Sequence, residues 1–239
     1  MSDPAQLPLG FGHRTSLAGE DFLVAPGNAQ AVAWLDRWPA WPSTVLVLHG
    51  APGCGKTHLA RVFMARTGAR DIAYDRLLTE EPPRLLAEAP ALVVEDVDRH
   101  LDRAFEKALL HLHNVAAETG RHLLLTASQP PSRWDITLND LGSRLSTAVA
   151  VTIAPPDDAL MAAVLVKLFA DRQLKVDADV VSFMMGRMER SFEAARRLVA
   201  AIDAGALEER RNVTVPFVRL VMSRPDGDDR GGNDRTGAV

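Results

Sequence analysis

Runs of consecutive aliphatics alternate with helical periodicity through the first two thirds of the chain, and helical periodicity alone follows. The stretch STVLVLHG, Ser43 to Gly50, holds four aliphatics in a row between Pro42 and a glycine-rich turn, the pattern of a strand buried on both faces. KTHLARVFMARTG comes next, with Leu59, Ala60, Phe63 and Met64 at helical spacing and Gly68 placed as a C-cap. Ala91 to Val94 in PALVVEDVD reads as a second buried strand, Phe105 to Glu118 as a helix, and HLLLTASQPP and AVAVTIAPP as further strands. Strands that alternate with helices predict an α/β fold, a parallel sheet covered by helices on both faces. From Asp158 onward DALMAAVLVKLFADRQ, ADVVSFMMGRM and SFEAARRLVAAIDAGALEER are amphipathic helices, with Asp177 and Ser191 as N-caps. The closing RPDGDDRGGNDRTGAV has no core residues to bury and reads as a disordered tail.

Composition narrows the class. With 239 residues, 47% hydrophobic and 24% charged, the chain is long enough for one domain and a smaller companion. Its apolar runs fall short of the roughly 20 residues that span a bilayer, and the first 30 residues lack a basic segment followed by an apolar one. The expected compartment is therefore the cytoplasm, with no membrane contact. A single cysteine, Cys54, excludes an intramolecular disulfide and a multi-cysteine metal site. A net charge of −4 speaks against a dedicated DNA-binding surface.

The chemistry-bearing stretch is GAPGCGKT, made of Gly50, Ala51, Pro52, Gly53, Cys54, Gly55, Lys56 and Thr57. It fits G-x-x-x-x-G-K-[ST] and lies between an apolar strand and a helix, where a phosphate loop must be. Glycines let successive backbone N–H groups curl around phosphate oxygens, the helix N-terminus adds its positive end, Lys56 reaches the β- and γ-phosphates, and the Thr57 hydroxyl ligates Mg²⁺. A turn that bound nothing would need neither Lys nor Thr. At the end of the second buried strand Glu95 and Asp96 are placed to meet that Mg²⁺, one touching the metal and the other polarising a water. A solvated acidic turn is the plainer alternative. His111 and His113, two apart on a helix, do not share a face and read as surface residues. Trp34, Trp38 and Trp41 read as core packing or as a lid over a nucleotide base, and Cys54 as a small filler.

Taken together, GAPGCGKT, VVEDVD, LTASQPP, a helix ending in LGSRL and an all-helical C-terminal region resemble the AAA+ module of the bacterial replication initiator DnaA, and most closely the Hda family of small DnaA-related regulators. EDFLVAPGNAQAVAWL resembles that family's segment before the first strand, and VTVPFVRLVM its ending, so the likeness runs from about Asp21 to Met222. It implies a P-loop AAA+ domain over residues 12–155, a helical lid over 156–223 and a tail over 224–239. It further implies ADP or ATP with Mg²⁺ as cofactors. Gly27 and Asn28 match the pair near the base, His58 follows the loop into the site, and Ser128, after Thr126, matches the sensor that feels the γ-phosphate. Arg144 matches the arginine finger that one subunit extends into its neighbour's site; a surface arginine paired with Asp140 is the bland alternative. The resemblance also implies DnaA as a partner.

The match has two departures. The family's first acidic position carries Asp where this chain has Glu95 followed by Asp96, and the lid arginine of the family falls on Glu193, with Arg196 and Arg197 a turn later. Both favour a protein that holds ADP as a structural cofactor and acts on ATP held elsewhere, its own ATPase weak or absent. The hexapeptide QLPLGF, Gln6 to Phe11 within an N-terminal peptide of residues 1–11, resembles the clamp-binding peptide of bacterial replication proteins. Gln6, Leu9 and Phe11 would anchor it, Leu7 would add contact, and Pro8 keeps it extended. The DNA polymerase III sliding clamp is then a second partner, DNA is reached indirectly, and a homo-oligomer stays open. Two functions follow: a negative regulator that promotes hydrolysis of DnaA-bound ATP, or a helicase- or clamp-loader-like motor that consumes ATP itself.

Overall fold

The computed structural model describes residues 23–209 and 211–223; QLPLGF and the polar tail lie outside them. After a short helix α1 (Ala29–Asp36), the chain builds β1 (Val45–His49), α2 (Lys56–Thr67), β2 (Arg70–Asp71), α3 (Tyr74–Thr79), α4 (Pro82–Ala87), β3 (Ala91–Val94), α5 (Arg103–Glu118), β4 (His122–Ala127), α6 (Asn139–Ser146) and β5 (Val149–Thr152). Four helices follow: α7 (Asp158–Asp171), α8 (Ala178–Met185), α9 (Phe192–Glu209) and α10 (Val215–Ser223).

All strand pairings are parallel, in the order β2-β3-β4-β1-β5. The expected α/β fold is thus present. Parallel strands need crossover helices, and those helices cover both faces. Alternate residues of each central strand accordingly enter different cores. Val45, Val47, Leu123 and Leu125 pack with α3, α4, α5 and α6, whereas Leu46, Leu48, Leu124 and Val93 pack with α1 and α2. Trp41 stacks on Phe63 at 5.6 Å and Trp38 meets the same ring edge-on at 5.9 Å, so these tryptophans are core packing. The helices after β5 form a third core of their own around Phe169, Met184, Val199 and Phe217.

Several local expectations need correction. Helix α5 begins at Arg103 instead of Phe105 because the Asp102 carboxylate caps it, accepting from the N–H groups of Ala104 and Phe105. Asp177 does precede α8, yet its side chain makes no capping bond. Ser191 does cap α9, accepting from Ala194 N–H at 3.1 Å. His111 is exposed as expected, but His113 is buried at 7% exposure. It sits two turns beyond the buried Glu106 on the inward face of α5, and burial, with the nearby charge of Arg144, pushes its pKa down. No helix among the described residues is long and apolar enough to cross a membrane.

Candidate functional site

The strand order sets the geometry. The C-terminal ends of β3, β4 and β1 lie side by side, so Glu95, Ser128 and the phosphate loop all emerge at one edge of the sheet. In the loop Gly53 and Gly55 take left-handed φ values of 73° and 106°, which turn the backbone sharply into α2 at little cost only for glycine. No side chain caps α2 and no acid occupies its first turn. Its N-terminal N–H groups and positive dipole end stay directed at the loop.

Lys56 is 7% exposed, and its ammonium donates to the carbonyls of Gly50 at 2.7 Å and Ala51 at 3.1 Å. No carboxylate pairs with it among the described residues. A nearly buried cation held by two backbone carbonyls and the Cys54 sulfur, next to an uncapped helix N-terminus, fits a polyphosphate. Cys54 is buried beside it, and desolvation outweighs the Lys56 charge to push the thiol pKa up. That is the chemistry of a filler, as expected. His49, at the end of β1, has its pKa lowered by burial and by Lys56.

The acidic pair divides. The Thr57 hydroxyl donates to Glu95 Oε2 at 2.5 Å, which brings together the hydroxyl and carboxylate suited to a hydrated divalent cation. Asp96 instead has a left-handed φ of 52° and pairs with Arg99 at 3.2 Å. Its backbone N–H donates to the buried Thr126 hydroxyl at 3.0 Å. The next turn returns the tie: Asp98 accepts from the N–H groups of Ser128 at 2.8 Å and Gln129 at 3.1 Å. The tips of β3 and β4 are therefore clipped to each other, and Ser128 is held in place through its backbone.

The helical region closes over this edge. Phe192 N–H donates to Gly53 O at 3.2 Å, so the start of α9 rests on the phosphate loop. A cavity of about 200 Å³ lined by Gly27, Asn28, Cys54, Pro156, Asp157 and Phe192 adjoins it. Asn28 is buried, and its amide is engaged with its own segment, accepting from Ala25 N–H and donating to Leu23 O. It forms the wall of the pocket. A second cavity, about 360 Å³, shares Leu160 and Phe192 and adds His58, Lys167 and Arg196. Arg197 lines a different cavity, with Met188 and Glu189. Of the two arginines one turn past Glu193, Arg196 thus faces the side of His58. Ala51 and Pro52 are exposed at the loop tip. A separate cleft of about 560 Å³ around Asp98, His100 and Arg133 includes no phosphate-loop residue.

Arg144 lies on α6, exposed. Among the described residues its guanidinium makes no hydrogen bond or ion pair, and the pairing with Asp140 is not formed. Sequence reasoning missed Glu106, Asp98 and Phe192. Glu106 looks like any surface glutamate on a helix, and Phe192 like an ordinary core aromatic of α9.

Residues 158–222 match the family model described as Hda, lid domain. The fold is similar to domain III from the Thermotoga maritima replication initiation protein DnaA, with a TM-score of 0.75 and 18% identity over 85% of this chain and 94% of that one. It is also similar to AMPPCP-bound DnaA from Aquifex aeolicus, with a TM-score of 0.67 and 16% identity over 83% of this chain and 68% of that one. The FIGL-1 AAA domain in complex with ADP gives a TM-score of 0.62 and 16% identity over 92% and 88% of the respective chains. The helical end of this chain thus matches the lid domain of Hda, and the fold as a whole is that of a DnaA-like AAA+ module.

Proposed function

We propose that the chain holds ADP or ATP in its phosphate loop, docks on the DNA polymerase III sliding clamp through Gln6, Leu7, Leu9 and Phe11, and promotes hydrolysis of ATP bound to the initiator DnaA, so that replication initiation is switched off. The reading rests above all on Arg144, an exposed guanidinium without a partner among the described residues, on a short helix packed on the core of a chain whose residues 158–222 match an Hda lid. Solved neighbours bound to AMPPCP and to ADP support nucleotide in the loop here, as does the carbonyl-held ammonium of Lys56.

In this scheme Gly53, Cys54, Gly55 and Lys56 supply backbone N–H groups and charge to the phosphates. Gly50, Ala51 and Pro52 shape the loop, while Asn28 and His58 line the cavities beside it. Thr57 and Glu95 would hold Mg²⁺, which supplies charge neutralisation to the phosphates when bound. Asp96, which pairs with Arg99, is the second acidic residue beside that metal, and a glutamate in the first acidic position accords with weak hydrolysis by this chain. Arg144 reaches out of the molecule, and a guanidinium delivered to another protein's γ-phosphate stabilises the charge that develops on the transferring group.

Replacing Arg144 by Ala should leave nucleotide affinity and clamp binding unchanged. It should lower the rate at which the chain stimulates hydrolysis of DnaA-bound ATP by about 10³ to 10⁵, the range for fingers supplied in trans. Unchanged stimulation in a single-turnover assay would refute the role.

A further inference from the structure

Helix α6 has eight residues, too few to hold its own geometry in water, so the direction in which Arg144 points is set by what anchors the helix. Leu141 and Leu145 bury one face, but apolar contacts alone tolerate sliding and rotation. Its N-terminus has no local cap: the capping position is Leu138, whose side chain accepts nothing. What is held from another helix is the chain that leads into α6. Glu106 of α5, with 0% of its surface exposed, accepts from the Thr137 N–H at 3.0 Å, the Thr137 hydroxyl at 2.8 Å and the Leu138 N–H at 2.8 Å.

We propose that Glu106 is the positioning residue of Arg144: its buried carboxylate fixes the entry into α6 and thereby the direction in which the finger is presented. This inference rests on the reading of Arg144 given above. A carboxylate is taken fully out of water only at considerable cost unless its oxygens are satisfied, and here donors from two successive residues converge on it. The same stretch is held at its other end by Asp98, through the N–H groups of Ser128 and Gln129. The segment from 128 to 144 is therefore strapped by two carboxylates, both belonging to the elements that follow Glu95. Leu141 and Leu145 of α6 share one core with Leu109 and Leu112 of α5, which sets the finger-bearing helix alongside α5 at that end as well.

The test uses the full chain with Glu106→Gln, whose single amide oxygen cannot serve these donors and whose NH₂ faces an N–H. Three quantities are read: the affinity of the chain for ADP, the rate of stimulated hydrolysis of DnaA-bound ATP, and the same rate in the Glu106→Gln/Arg144→Ala double variant. Wild-type ADP affinity is expected, with a rate loss of roughly a hundredfold, the size of effect that a displacement of about 1 Å produces. The double variant should be no slower than Arg144→Ala alone, and Glu106→Asp should recover part of the rate. Unchanged stimulation by Glu106→Gln beside an inactive Arg144→Ala overturns the positioning role and leaves the finger intact. Multiplicative losses in the double variant also overturn it. Full activity of Arg144→Ala instead sinks the finger reading itself. Should Glu106→Gln fail to fold, Thr137→Val removes only the hydroxyl donor; it is expected to lower the rate at unchanged ADP affinity, and an unchanged rate counts against the proposal.

Discussion

At Gly53 the phosphate loop and the helical region approach within the radius of a methyl group. A Cβ built there would lie 2.4 Å from the Cβ of Ser191, and the residue's φ of 73° is one that side chains rarely adopt. Gly68, with a φ of 74°, has nothing within 4 Å of its Cβ position. The pair separates backbone strain from steric contact. Gly68→Ala should cost about 1 to 2 kcal/mol, the penalty of a left-handed L-residue. Gly53→Ala should cost more and should weaken ADP binding as well, because relief of the clash moves either the loop or the start of α9. Denaturant titrations and ADP titrations of both variants check this; equal stability losses with unaltered ADP affinity would mean that the lid contact is not rigid. GAPGCGKT was legible as a phosphate loop because each residue type there has a distinct chemical task. The seating of Phe192 on that loop was not, since a backbone hydrogen bond to Gly53 leaves no trace in residue identity.

At the scale of elements, the fate of buried titratable groups gives the fold a pH dependence. His49, His113 and His122 have lowered pKa values, desolvation being the main cause for each. Unfolding below about pH 6.5, the ordinary value, therefore takes up protons that the native state refuses, and stability falls as the pH drops through that range. Glu106 acts in a lower window. Burial raises its pKa, but the bonds from Thr137 and Leu138 outweigh burial and leave it lowered. Its contribution is present above the ordinary carboxylate value of about 4.3 and is lost as the pH falls through the folded value. The stability gap between the parent and Glu106→Gln should thus narrow as the pH is taken from 6 to 3 in urea titrations, and a constant gap would contradict the assignment. Long elements such as α5 and β4 were readable from periodicity. The strand β2 was not, having two residues that are both exposed, and α3 and α4, with six residues each, carry too few turns for a period to emerge. The spacing of His113 from His111 says nothing about which of the two faces inward, so the burial of His113 is not legible in the sequence.

The whole molecule is a two-faced sheet with a separately cored helical lid whose helix α9 starts against the phosphate loop. Both the α/β core and the all-helical end were legible from the change in periodicity at Asp158; the lid's contact with the loop was not, because it depends on the path of the chain after β5. The segment QLPLGF lies outside the described residues, and its task is a matter for binding: the chain lacking residues 1–11 should lose retention on immobilised sliding clamp while keeping its ADP affinity. The central claim is that this protein acts on a nucleotide it does not itself hold. The most direct measurement places γ-labelled ATP on DnaA alone in one mixture and on this chain alone in another, each with clamp loaded on DNA, and follows release of labelled phosphate. The account predicts rapid release from DnaA, dependent on Arg144 and on residues 1–11, and slow release from this chain. Rapid release from this chain's own ATP, with the label on DnaA retained, would contradict it.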